Sequence, residues 1–220
     1  MGVHSARTAP FARRAAAPQP AEDASGIFSV LFVCTGNICR SPMAERLLRR
    51  TLKSSGSAAS QMVHVSSAGL ATIDGVPMDE SSVRQLQARG GDSTGFQSRK
   101  LTRPIAMNGN LILTMTRDQQ VDLIKRYPPL LKRTFLLREF MALASEVSSL
   151  KGVPTTLAQR VSFVDESMRR RAIVAHSRAN EDVPDPFKRS DEVHRDVAEI
   201  ISESVDCLAL QLFDSSFDAE

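Results

Sequence analysis

Tryptophan is absent and tyrosine occurs once, which argues against an aromatic stacking platform for nucleic acid. Cysteine is scarce: Cys34, Cys39 and Cys207 are too few, and odd in number, for a secreted disulfide scaffold. A reducing, cytoplasmic setting is the expectation. No apolar run reaches the roughly 20 residues that a bilayer span needs. The N-terminal stretch has arginines but lacks the continuous apolar core of a signal peptide. His4, His64, His176 and His194 show no ligand spacing with one another, with cysteines or with carboxylates. Glycine motifs for nucleotides are missing as well. The expected partners therefore include neither nucleic acid nor a membrane, and neither a metal nor a cofactor is expected.

What is present suits a chain with a real core. Of 220 residues, 42% are hydrophobic and 24% charged, an ordinary balance for a folded domain. The formal charge of +3 is mild and scattered. Arg169-Arg170-Arg171 is the densest cluster and reads as a solvated helix face. Residues 1–26 are rich in Ala, Pro, Arg and Ser and read as a disordered tail. Residues 27–220 read as one domain.

Strands and helices alternate along that domain. Ile27 to Val33 is mostly apolar and β-branched, as in a central parallel strand. Met43, Leu47, Leu48 and Leu52 recur at helical spacing after Pro42. Val63 to Val65, Leu111 to Met115 and Thr134 to Leu137 are the further expected strands. Helices are expected from Asp79 to Gly90-Gly91, around Val121 to Ile124, and from Glu139 to Leu150. A basic amphipathic segment runs from Pro154 to about Ala179, with Leu157, Val161, Val164 and Met168 on its apolar edge. The last helix follows Ser190, a plausible N-cap, and carries a stripe from Val193 to Leu212. This order predicts an α/β fold in three layers, with about four parallel strands between helices.

One stretch stands apart: Cys34-Thr35-Gly36-Asn37-Ile38-Cys39-Arg40-Ser41. A thiol leaves a buried strand and meets a helix entrance, where free N–H groups and a partial positive charge favour anions. The same field favours the thiolate of Cys34. Arg40 can hold two phosphate oxygens with its planar fork, while the peptide N–H groups of Thr35 to Cys39 form a nest for the rest. Gly36 suits a tight bend that leaves room for phosphate. Asn37 tolerates a left-handed backbone.

From Cys34 through Glu45 the chain resembles the low-molecular-weight protein tyrosine phosphatase family. The likeness continues through Ser67-Ala68-Gly69, Gly75-Val76-Pro77-Met78-Asp79, Ser98-Arg99-Lys100-Leu101 and Leu111 to Arg117, and resumes at Asp185-Pro186-Phe187. It covers nearly everything from about residue 27 to 213, in the family's order. The resemblance implies hydrolysis of phosphotyrosine and aryl phosphates through a phosphocysteine on Cys34. It implies Asp185 as general acid and then base, and Ser41 as a hydrogen-bond partner of the sulfur. Phe187 matches an aromatic wall, and Thr35, Gly36, Asn37, Ile38, Cys39 and Ser41 complete the phosphate site. Asp182 is the lesser candidate for the acid, a turn or capping aspartate by preference. Ser67 is either a brace for the loop through Asn37 or a simple strand-end serine. Cys39 is either a packing residue or, as in the family, a disulfide partner for Cys34. Implied partners are phosphotyrosine-containing proteins, a tyrosine kinase among the candidates; the sequence specifies no oligomeric state.

Three alternatives stay beside this reading. Arsenate reduction on the same scaffold would need further cysteines, and none lies between Cys39 and Cys207. Phosphoarginine-hydrolysing relatives carry Thr where Ile38 stands. A non-catalytic phosphoprotein-binding module could dispense with Cys34 or Asp185. The chain also departs from compact family members: the stretch between Phe140 and Asp185 is longer, and Lys188 follows Phe187. The longer stretch could hold Asp185 less firmly or cover the cleft.

Overall fold

The computed structural model describes residues 26–56, 62–174 and 181–213. The expected tail lies almost wholly outside these residues. So do the end of the basic segment, residues 175–180, and residues 214–220.

Four strands form one parallel sheet in the order β2-β1-β3-β4. They are β1 (Phe28–Cys34), β2 (Val63–Gly69), β3 (Leu111–Thr114) and β4 (Thr134–Leu136). Period-two geometry sends alternate side chains to opposite faces. Phe28, Val30 and Phe32 pack with Leu111, Leu113 and Phe135 in one core, whereas Leu31, Val33 and Ile112 belong to a second. Both faces are apolar because helices cover both, as parallel sheets require.

The larger core is closed by α1 (Arg40–Ser55), α2 (Glu80–Ala88), α5 (Leu137–Lys151), α6 (Leu157–Val174) and α7 (Asp191–Leu212). The smaller core is closed by α3 (Arg103–Asn108) and α4 (Arg117–Arg126). The three-layer α/β expectation holds. Pro128-Pro129 does more than stop α4, since it opens a 3₁₀ helix over Pro128–Arg133. Helix α3 was not expected, because six residues are too few to show a period.

One boundary moved at the site itself: strand β1 runs to Cys34, one residue beyond the expected end, while α1 begins at Arg40 with Pro42 in its first turn, as expected. The thiol is thus the last residue of a strand and the arginine the first of a helix.

The longer stretch is a helical hairpin. Helix α6 packs on α5 and on the 3₁₀ helix, with Phe163 and Val164 buried in the main core. Arg171 anchors its far end: Nε and Nη2 donate to Glu139 at 2.8 Å, Nη2 donates to the Thr134 carbonyl, and the guanidinium lies 4.3 Å from the Phe135 ring centroid. The basic cluster is therefore only partly a solvated face. Arg169 is exposed, while Arg171 is a packed anchor. Among the described residues no helix is long and apolar enough to cross a membrane.

Candidate active site

The loop from Cys34 to Arg40 is held from outside by its carbonyls. The Cys34 carbonyl accepts from Leu70 N–H at 2.9 Å and that of Thr35 from Ala71 N–H at 3.0 Å. Gly36 O accepts from the Thr72 hydroxyl at 2.6 Å, and Ile38 O accepts from Asp79 N–H at 3.0 Å. A trans peptide points its N–H opposite to its C=O. Outward carbonyls at Thr35, Gly36 and Ile38 therefore turn the N–H groups of Gly36, Asn37 and Cys39 inward. Asn37 N–H indeed points at the Cys34 sulfur, 3.2 Å away.

The close approach of β2 demands a glycine. A Cβ at Gly69 would lie 2.8 Å from the Thr35 carbonyl oxygen. Within the loop, Asn37 rather than Gly36 adopts the left-handed conformation, at φ 52°. The left-handed tolerance expected of Asn37 is thus used. A Cβ at Gly36 would meet only Ile38, at 3.6 Å, so that glycine leaves room beside the loop without supplying the turn.

Asn37 is fixed by four bonds. Besides its N–H to sulfur, Nδ2 donates to Ser41 Oγ and to Ser67 Oγ, both at 2.9 Å, and Oδ1 accepts from Arg99 N–H at 2.9 Å. Ser41 Oγ, already accepting from Asn37, lies 3.0 Å from Cys34 Sγ and can give its proton to sulfur. Ser67 Oγ donates to Glu45 Oε2 at 2.5 Å, and Glu45 Oε1 pairs with Arg49 at 2.9 Å. The Arg99 guanidinium ties to the Ser67 carbonyl at 2.7 Å. The open choice for Ser67 resolves to the brace, and Arg99 is structural. Glu45 went unassigned in the sequence: a buried carboxylate one turn into α1 carries no local mark of its partner on β2.

Helix α1 starts without an acidic residue in its first turn and without a side-chain cap. The N–H groups at its start adjoin the loop in sequence, and such a helix entrance suits an anion. Arg40, 4% exposed, has a buried Nε without a hydrogen-bond partner. Nη1 donates to the Val183 carbonyl at 3.2 Å, and Nη2 pairs with Asp185 Oδ2 at 2.8 Å.

The segment bearing Asp185 is firmly seated. Val183 is fully buried and its N–H donates to Met115 O at 2.8 Å, at the end of β3. Asp182 accepts from Arg117 N–H at 2.8 Å, on the first residue of α4, as a capping aspartate does. Asp185, by contrast, faces the loop through Arg40, and its Oδ1 accepts from Phe187 N–H at 3.2 Å. Phe187 stands 45% exposed beside it. The described part of the long hairpin packs away on α5, and Asp185 is not loosely held.

Thr35 Oγ1 accepts from Gln119 Nε2 at 3.0 Å, which ties the loop to α4. Cys39 is buried, and burial pushes its thiol up to about 12 despite a hydrogen bond with Ser82. It is a free thiol, as is Cys34. Cys207, at the edge of the core on α7, is likewise pushed up by burial. Among the described residues no group of His, Cys, Asp and Glu could hold a metal ion.

A parallel sheet whose first strand delivers a thiol into a ring of peptide donors, opposite an arginine, is the architecture of a cysteine-dependent phosphatase. Residues 29–150 match the family described as low molecular weight phosphotyrosine protein phosphatase, and the chain belongs to that family. The probable low molecular weight protein-tyrosine-phosphatase EpsP of Ralstonia nicotianae is 36% identical over 113 residues, 51% of this chain and 72% of that protein. The crystal structure of the low molecular weight protein tyrosine phosphatase from T. tengcongensis is 26% identical. It superposes with a TM-score of 0.63, covering 84% of this chain and 99% of the other. The YwlE arginine phosphatase from Geobacillus stearothermophilus is 23% identical with a TM-score of 0.60, covering 88% and 97%, and shares the fold alone.

Proposed function

We propose that the protein hydrolyses phosphotyrosine in proteins, and aryl phosphates, through a phosphocysteine on Cys34. The observation that carries this reading is the Cys34 sulfur held by Asn37 N–H and Ser41 Oγ, with Arg40 linking the same loop to Asp185. Both groups aim hydrogen at the sulfur and hold it in place for attack. The phosphoryl oxygens would take the inward N–H groups of the loop and the Arg40 fork, including its unpartnered Nε. Sulfur then attacks phosphorus, the bond from phosphorus to the phenolic oxygen breaks, and protonated Asp185 gives its proton to that oxygen. In the second step Asp185 takes a proton from water, the water oxygen bonds to phosphorus, and the S–P bond breaks. Nucleophile, cation and acid all come from the chain, so the steps balance without a metal.

Phe187 supplies the wall for the substrate ring, and Ile38 narrows the mouth. Thr35 and Cys39 hold the loop's shape, the latter as a buried thiol. Substrates would be phosphotyrosine proteins, tyrosine kinases among them. The test is release of phosphate from an aryl phosphate and from a phosphotyrosine peptide in the presence of a chelator. Cys34→Ser should abolish both; unchanged turnover in that variant would end the reading. Competition with a phosphoarginine peptide separates the activity from that of an arginine phosphatase.

A further inference from the structure

The turn that carries the acid also carries a cation. Lys188 sits at φ 59°, a left-handed conformation that residues with a Cβ seldom adopt. Arg189 N–H closes the turn on the Pro186 carbonyl at 2.9 Å. The lysine side chain folds back so that Nζ lies 5.3 Å from the Phe187 ring centroid. A cation over an aromatic face is held in place, so less of its freedom is lost when a partner arrives.

Among the described residues Lys188 forms no ion pair, and the nearby Asp185 carboxylate is engaged with Arg40 at 2.8 Å. Arg189 beside it is exposed too. A separate groove lined by Ile38, Ile73, Lys100 and Arg126 also carries cations, of which Arg126 pairs with Asp122. Lys188 differs from these in lying against Phe187, on the turn that bears Asp185.

We propose that Lys188 is a specificity-determining residue that selects phosphotyrosine flanked by acidic side chains. The inference rests on the phosphatase reading above. A substrate ring placed against Phe187 brings the residues beside the phosphotyrosine to the ammonium that lies over the same ring. Complementary charge at a rim raises capture of the matching partner and weakens with salt.

The test uses two phosphotyrosine peptides that differ only in their flanks, Asp and Glu in one, Asn and Gln in the other. The readout is the ratio of their kcat/KM values, which cancels any difference in the amount of active protein. The full chain should prefer the acidic peptide by roughly three- to fivefold at low salt, the size of one exposed ion pair. Raising the salt should shrink that ratio. Lys188→Gln should bring it close to one, and Lys188→Glu should invert it. A ratio near one in the unaltered protein, or an unchanged ratio in Lys188→Glu, overturns the inference while leaving the phosphatase reading intact. If neither peptide is hydrolysed, the phosphatase reading falls and this inference falls with it.

Discussion

Ser67 on β2 donates to Glu45 Oε2 on α1 at 2.5 Å, and this bond braces the thiol loop from behind. The chain of contacts runs from Arg49 through Glu45, Ser67, Asn37 and Ser41 to the Cys34 sulfur. Ser67→Ala removes a donor from a buried carboxylate and an acceptor from Asn37. Lost hydrogen bonds of this kind cost about 1–3 kcal/mol. We expect lower stability in urea unfolding and a lower kcat on an aryl phosphate. A kcat equal to that of the unaltered protein would show that the brace does not reach the sulfur.

Asp182 and Asp185 lie three residues apart and should behave differently. Asp185 meets Arg40, whereas Asp182 caps α4 through Arg117 N–H. Asp185→Asn should lower kcat by roughly 10²–10⁴ if it is the general acid. Asp182→Asn keeps an oxygen that accepts from Arg117 N–H and should change little, whereas Asp182→Ala should cost about 1 kcal/mol of stability and little turnover. Steady-state kinetics on phosphotyrosine would contradict this assignment if the two effects were exchanged.

The two loop cysteines should label unequally. Burial pushes the Cys39 thiol up to about 12, so it remains protonated, and a poor nucleophile, at every pH well below that value. Only as the pH nears 12 should its anion appear. Iodoacetamide at neutral pH, followed by peptide mapping, should mark Cys34 first. Prior labelling of Cys39 would contradict the arrangement.

The α5–α6 hairpin belongs to the core. Phe163 is 3% exposed within the main apolar cluster. Phe163→Ala should destabilise by about 3–5 kcal/mol. Denaturant unfolding measures this, and a loss below about 1 kcal/mol would mean that the hairpin packs independently of the sheet.

Much of this was legible in the sequence because the chemistry is contiguous. Cys34, Arg40 and Ser41 share one loop, and the Asp185-Pro186-Phe187 triplet is distinctive enough to place at a distance. Strands β1 and β3 are buried on both faces and read as mostly apolar runs. Glu45 and Gln119 were hidden because their partners, Ser67 and Thr35, are remote in sequence and neither spacing nor residue type announces them. The left-handed conformation of Asn37 was legible because its short polar side chain tolerates that φ. The four hydrogen bonds that hold Asn37 there were not, since their partners lie elsewhere in the fold. Arg171 read as surface charge because its anchor, Glu139 beside Phe135, lies on another helix.

The most direct test of the central claim is to find the phosphoryl group during turnover. The full-length protein is mixed with an aryl phosphate, quenched in acid within one turnover, digested and mapped by mass spectrometry. The account expects phosphate on Cys34 alone, and none in Cys34→Ser protein treated in the same way. Phosphate on any other residue, or turnover that proceeds with Cys34 never modified, would contradict it.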